Sequence, residues 1–442
     1  MSARRVALAA RAAGFATTLA TTFVAQAQSP ADGGVTDAVT FSPRASLRTE
    51  WWSGSRSLDD RHDLFAASLW TDGKLRSDAG TLVWNGWLRA QHPHLDGDPH
   101  LEGRGARVRE LYWRQAFGAV DVRAGRLMPA WGRADGLNPT DNLSARDYTL
   151  LAPEDADLRF GRDGVQMDWS LPRDAGVLSA TWFAQGDRHR IPLPQQPGVT
   201  YRIDALPRRD AWALKWDLTA GGVDGSVSYY DGTDLMPDLS LATLSLTGVE
   251  IALRNARTRV WGADLSVQRG AAVWRAEAAY AQPRTNDMEN DVDDFTHKRP
   301  MLTVVGGPEW SGGGWTVGAQ AVWQWVRGFR SPDTLADPIA RDVAWRQAAT
   351  NNQVAAQQRG LTLRLARRAW NDTLLLETTL LALWPTQPTQ NPSGLWRSKL
   401  DYALDDHWNV QLGHERPLGP AHSQMGQLKQ NRLAYVQLRR SF

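Results

Sequence analysis

The chain has 442 residues, with 50 Lys and Arg against 48 Asp and Glu for a formal net charge of +2, 22 Trp and no Cys. A nearly neutral chain without a dominant basic face argues against a nucleic-acid partner. The missing thiols exclude a disulfide scaffold, a thiolate metal site and a lipidated-Cys anchor. No run after residue 30 approaches the ~20 apolar residues of a spanning helix.

The first element is a targeting segment. Arg4 and Arg5 give a positive start, Val6 to Val24 form an Ala-rich apolar run, and Ala25-Gln26-Ala27 fits the small-x-small cleavage rule. Residues 1–27 therefore read as a signal peptide and 28–442 as the mature chain, one domain.

Beyond residue 40, long polar loops alternate with tight turns. In chain order the early pairs are loop Ser57–Arg61 and turn Asp72–Gly80, loop Gln91–Gly103 and turn Phe117–Ala119, loop Pro129–Gly161 and turn Pro172–Gly176. Then come loop Gly186–Pro207 and turn Ala220–Asp224, and loop Gly232–Asn255 and turn Arg269–Ala272. Loop Pro283–His297 is followed by turn Gly306–Gly314, loop Phe329–Val354 by turn Arg368–Asp372, loop Pro385–Pro392 by turn Asp405–Asp406, and loop Leu418–Lys429 closes the series. Leu241–Leu253 is strand-like, but the parity of the series makes it loop, with room for a local hairpin.

The intervening pieces alternate with a period of two. Val273–Ala281 puts Trp274, Ala276, Ala278 and Tyr280 on one face and Arg275 and Glu277 on the other. In Trp315–Trp325, Trp315, Val317, Ala319, Ala321, Trp323 and Trp325 oppose Gln320 and Gln324. Leu395–Leu404 opposes Trp396, Leu400 and Tyr402 to Arg397, Lys399 and Asp401. Three charges at alternate positions would ruin a soluble sandwich core but suit lipid outside and water inside. The fold class predicted is all-β: a transmembrane antiparallel up-and-down barrel of about 18 strands, 16 being the alternative, with both termini at the turn end. Thirteen tryptophans, among them Trp51, Trp52, Trp84, Trp131, Trp274 and Trp370, fall near strand ends and fit interfacial belts. The final strand, Ala434, Val436 and Leu438, stops at Phe442, a terminal aromatic that resembles the assembly signal of outer-membrane proteins.

Val120–Gly161 is the densest segment. It leaves the strand pattern after Leu127 and runs on for about 30 residues rich in Gly, Pro, Asn and Asp, and a loop of that length is usually functional. Gly125, Arg126, Trp131, Gly132, Asp135, Gly136, Asn138, Pro139, Asp141, Arg146 and Asp147 form an element that resembles a group of proteobacterial outer-membrane proteins related to alginate exporters. The resemblance implies a channel for a polar solute or an exported polymer. It also implies outer-membrane lipid and lipopolysaccharide as surroundings, the barrel assembly machinery, and an exporter system as a further partner. No cofactor or metal is expected.

The segment has the makings of a constriction: Trp131, Arg133, Asp135, Asn138, Asp141, Arg146, Asp147, Asp155, Asp157 and Arg159. The other reading is a surface loop whose charges pair among themselves. Alternation places Glu110, Arg114, Asp121, Arg123, Asp264, Arg275, Glu277, Arg364, Arg397, Lys399 and Asp401 in the lumen, with Asp168, Lys215, Asp217 and Glu377 beside them. The two signs balance, unlike the basic channel expected for a polyuronate.

Three smaller constellations stand apart. His92–His100 mixes His and Asp in a proline-broken loop, and Asp287, Glu289, Asp291, Asp293 and Asp294 lack the central Gly of a Ca²⁺ loop. Ser398 and His414 would meet on the lipid face if the hairpin register pairs them, but no carboxylate or Asn shares that face to complete a hydrolase triad.

Overall fold

The computed structural model describes residues 39–55, 62–92, 105–193, 196–246, 248–284, 295–386 and 392–442. The signal-peptide residues 1–27, loop 57–61, most of the His/Asp loop (93–100) and the acidic loop 287–294 lie outside the described residues.

Eighteen strands form one sheet. They are Thr40–Ser55 (β1), Asp63–Ser77 (β2), Gly80–His92 (β3), Ala106–Phe117 (β4), Val120–Leu127 (β5), Arg162–Ser170 (β6), Val177–Phe183 (β7), Ala211–Ala220 (β8) and Val223–Thr233 (β9). The second half comprises Arg257–Arg269 (β10), Ala272–Arg284 (β11), Met301–Gly312 (β12), Trp315–Val326 (β13), Gln357–Ala369 (β14), Leu374–Pro385 (β15), Ser393–Ala403 (β16), Trp408–Leu418 (β17) and Arg432–Ser441 (β18). Each pairs antiparallel with its neighbours, and β18 returns to β1 in a register running from Ser46 opposite Ser441 to Ser55 opposite Arg432. The Phe442 amide extends that ladder by donating to the Ala45 carbonyl at 2.9 Å. The sheet is a closed barrel, and closure leaves no strand edge facing lipid.

The alternation is realised in space. On β13, Trp315, Val317, Trp323 and Trp325 are exposed outside while Gln320, Val322 and Gln324 are buried inside. The barrel exterior is dominated by exposed Trp, Leu and Val, the surface lipid requires. Among the described residues no helix is long and apolar enough to cross a membrane.

Three details differ from the sequence reading, and a fourth, the local hairpin in the loop after β9, is as expected. The expected turns Asp72–Gly80 and Gly306–Gly314 are much shorter, because β2 runs to Ser77 and β12 to Gly312. Their glycines are there for close approach: a Cβ at Gly73 would lie 2.4 Å from the Trp84 ring, and one at Gly307 would lie 2.0 Å from the Ala319 carbonyl oxygen. Within the loop 234–256, Asp238–Ser245 and Gly248–Arg254 form an antiparallel hairpin, joined in parallel by Val199–Ile203. Loop 327–356 contains a helix, α1 (Pro338–Thr350), with Pro338 in its first turn and Asp337 capping the Ile339 and Ala340 amides at 2.8 and 2.7 Å. Finally, Trp52 and Trp131 are not belt residues: both are buried inside the barrel.

The inside-outside assignment is testable at β13. Ala319, opposite the lipid-exposed Leu363, should cost about 2–4 kcal/mol when replaced by Arg if it sits near the bilayer midplane. The change Thr379→Arg, whose side chain points into the lumen, should cost less than about 1 kcal/mol. Urea titrations of both variants in lipid vesicles decide it; equal costs would refute the assignment.

Candidate functional site

Residues 128–161 leave the loop end of β5 and fold inward across the barrel. The seat of the first half is Glu277 on β11, which is almost completely buried. Its carboxylate accepts from the amides of Arg133 (3.0 Å), Ala134 (3.1 Å) and Thr140 (2.6 Å) and from the Thr140 hydroxyl (2.8 Å). A chain that turns tightly enough to aim three amides at one anion needs left-handed backbone, and Gly132 has φ +88° and Gly136 φ +78°. At Gly132 a Cβ would lie 2.1 Å from Asn138 Oδ1 and 2.5 Å from Glu277 Oε2, so no side chain fits.

The other contacts of the segment reach all round the wall. Arg133 pairs with Asp264 on β10 and Asp217 on β8, and Asp135 pairs with Arg275 on β11 at 2.7 Å while its amide donates to Gln320 on β13. Farther along, Glu154 pairs with Lys399 at 2.9 Å and accepts from Gln411, Asp155 pairs with Arg397 at 2.8 Å, and Asp157 with Arg48 on β1 at 2.5 Å. Strands β1 and β10 lie on opposite sides of the ring, so the segment spans the lumen.

The expected constriction residues divide into two groups. Trp131 packs in a cluster with Leu143, Phe183 and Tyr230, and its carbonyl accepts from Asn138. Asp141 is buried between Arg146 and Arg159, and Asp147 is buried against Arg107, Arg190 and Thr149. Asp157 and Arg159 are nearly as enclosed. These hold the segment together. Open space is faced by Asp155 (68 % exposed) and Asp135 (43 %), with Arg133 and Arg146 partly accessible.

The expected lumen residues all carry internal partners. Arg114 and Arg123 share Asp121, Arg123 also meets Asp168, and Glu110 accepts from the Met128 amide. Arg364 joins Glu309 and Glu377, Lys399 reaches Glu377, and Asp401 accepts from Asn409 and Gln411.

Sequence reasoning missed Arg107 and Arg109. The register between β3 and β4 slips at Asn85/Gly86, placing one extra residue, Arg109, in β4. That bulge turns Arg109 and Arg107 inward where strict alternation points them out. Arg109 then donates to the Arg159 and Ala156 carbonyls, and Arg107 lies 4.5 Å over the Phe160 ring. Glu154 was missed too, since a loop has no period to betray its direction.

Above the segment the long loops clamp one another. Asp238 accepts from Gln347 and Asn351 of the α1 region and from the Lys298 amide, and the Lys298 ammonium lies 3.3 Å from Asp238 and 3.4 Å from Asp234. Burial opposes that ammonium, but the two carboxylates keep its pKa above the ordinary lysine value. His189, in loop 184–210, is half-buried and accepts the Arg146 amide at Nδ1 (2.9 Å), fastening that loop to the infolded segment.

On the lipid face the register does set Ser398 opposite His414. Their hydrogen bonds go elsewhere, Ser398 to Thr378 (2.9 Å) and His414 Nδ1 to the Leu433 carbonyl (3.0 Å). No step of acyl transfer follows from that geometry.

No protein-family model and no curated protein sequence matches this chain. Solved structures do match. OccAB1 from Acinetobacter baumannii superposes with a TM-score of 0.57 at 10% identity, covering 94% of this chain and 99% of that one. A BenF-like porin from Pseudomonas fluorescens Pf-5 gives 0.54 at 10%, covering 91% and 98%, and OccK3 (OpdO) from Pseudomonas aeruginosa gives 0.52 at 11%, covering 90% and 94%. At these identities the likeness is one of fold. The chain has the architecture of an 18-stranded outer-membrane porin. The resemblance to alginate exporters finds no support among these matches.

His189 supplies a pH dependence. Burial, and then the positive charge of Arg146, push its pKa from 6.5 down to about 3. The docked imidazole is neutral, so docking is at full strength above pH 6.5, where the released loop is neutral as well. As pH falls from 6.5 toward 3, only the released loop takes up the proton, and docking should weaken by up to about 1.4 kcal/mol per pH unit. Amide exchange across 186–193, corrected for intrinsic rates, should accelerate accordingly in the wild type and stay level in H189N. A level wild-type profile would contradict the assignment.

Proposed function

We propose that the chain is an outer-membrane channel through which small polar solutes diffuse, narrowed by residues 128–161. The observation that carries this reading is the infolded segment. It is bonded to inward-facing side chains on opposite walls of a closed barrel whose outer face is apolar. An 18-stranded barrel would otherwise enclose a wide aqueous bore. The charged groups left facing open space, Asp135 and Asp155 with Arg133 and Arg146 behind them, bear both signs, so passage depends on diameter and local charge rather than on one dominant sign.

A polymer-exporting role is the weaker reading, because a segment pinned at both ends leaves a flexible chain little bore. In the favoured reading residues 1–27 are removed on export, outer-membrane lipid and lipopolysaccharide surround the barrel, and β18 with Phe442 is presented to the assembly machinery. Deleting Phe442 removes the last closing amide and the ring under Arg440, and should lower the amount of folded, heat-modifiable protein in outer-membrane fractions. Wild-type amounts would argue against a role in assembly.

The channel reading itself is tested by conductance. Replacing Trp131–Asp157 with a short Gly/Ser linker should raise single-channel conductance severalfold in planar bilayers, because the removed residues are the narrowest part of the path. The variant must first retain heat-modifiable mobility. A folded deletion with wild-type conductance would remove the segment from the pathway.

A further inference from the structure

Between the infolded segment and the outer loops lies a cavity of about 460 Å³, within the ~300–1,000 Å³ range of small-molecule sites. A solute channel is expected to present a polar vestibule here, but the walls are mostly apolar. Leu137, Leu150 and Leu151 of the segment form one side, and Tyr201, Leu239 and Ile251 of the outer-loop sheet face them. Leu381, Leu395 and Leu433 of the barrel close the third side. The outer-loop wall is a well-packed unit, with Ile251, Leu239 and Val343 of α1 in one buried cluster, so the shape is held by tertiary packing.

Three cations reach this space, Arg146, Arg346 and Arg397, and each already has a carboxylate. Arg146 meets Asp141 at 2.5 Å, Arg346 meets Asp342 at 2.8 Å, and Arg397 meets Asp155 at 2.8 Å and Glu415 at 3.2 Å. An anionic solute entering here would lose hydration without finding an unmatched counter-charge, and a cation would meet carboxylates already engaged. Neutral hydrogen-bonding side chains are also present: Tyr148, Thr350, Gln424 and Gln427. A purely polar solute would strand the leucine walls against water, whereas an apolar body would displace that water.

We propose that this vestibule is a binding site for an uncharged small molecule with an aromatic or branched-aliphatic body and one hydroxyl or amide group. The assignment goes beyond the channel reading by adding a site for a molecule of mixed character beside a path for small polar solutes, and it rests on that reading only for the direction of travel. Binding is a property of the cavity alone.

The experiment is equilibrium dialysis of the full detergent-solubilised barrel against benzyl alcohol, benzoate and xylitol, with single-channel recording on the same preparations. Benzyl alcohol should bind saturably and at least about tenfold more tightly than either of the others. Leu151→Asn and Leu395→Asn, each adding a polar group to a different wall, should weaken benzyl alcohol about tenfold while leaving heat-modifiable mobility intact. Benzoate binding as tightly as benzyl alcohol, or folded variants with wild-type affinity, would overturn the proposal. Saturable, variant-sensitive binding by a protein that never conducts would support this site while sinking the channel reading, so the two fail separately.

Discussion

A backbone amide inside a bilayer has no water to turn to, and every other feature of this molecule follows from that constraint. It requires the sheet to close, so β18 must find β1 across nearly the whole length of the chain. Closure fixes two faces of opposite character. One meets lipid and is populated by Trp, Leu and Val; the other encloses a volume that side chains of the wall alone do not fill. What occupies that volume decides what the barrel does.

The occupant is made from one connection, and it faces the same accounting problem as the wall. Residues 128–161 lack a ladder of their own beyond the short pairing of Ala145–Arg146 with Arg159–Phe160. Their amides and charges are satisfied by the lumen lining instead. Glu277 shows how economical this is: one carboxylate satisfies three backbone amides and a hydroxyl, and the two glycines make the approach sterically possible. Wall arginines that look like a solute-selecting array, Arg48, Arg107 and Arg109, are spent largely on fixing the segment. In the proposed channel, selectivity would fall to the few groups that remain accessible, Asp135 and Asp155 foremost.

The barrel was legible in the sequence because lipid and water impose a period of two, and a period survives translation from chain to space. The strand sets around Trp274, Trp323 and Trp396 point as the pattern says. Legibility failed where glycine has two meanings. Gly306-Gly307-Pro308 reads as a turn, yet it lies in β12, where the neighbouring backbone approaches too closely for a side chain. It failed again at Arg109, since a bulge inverts the phase of everything beyond it. Within the infolded segment the chemistry was readable and the geometry was not. Composition announces that Asp141 and Asp155 carry charge, but only the fold separates the one sealed between two arginines from the one facing the lumen. The helix Pro338–Thr350 lies in a stretch that reads only as a long polar loop, and Asp337 becomes a cap only once the fold turns the chain there.

The partners of the infolded segment straddle the seam where the barrel closes. It emerges between β5 and β6, yet it is tied to Arg48 on β1 and to Lys399 and Gln411 on β16 and β17, which enter the sheet at opposite ends of the chain. Those anchors have no fixed spacing until the ring is whole. The segment therefore meets its full set of partners only once β18 has paired with β1. The entropy of closing the whole barrel is the precondition for the shape of its interior, because the ring alone sets the spacing of the anchors.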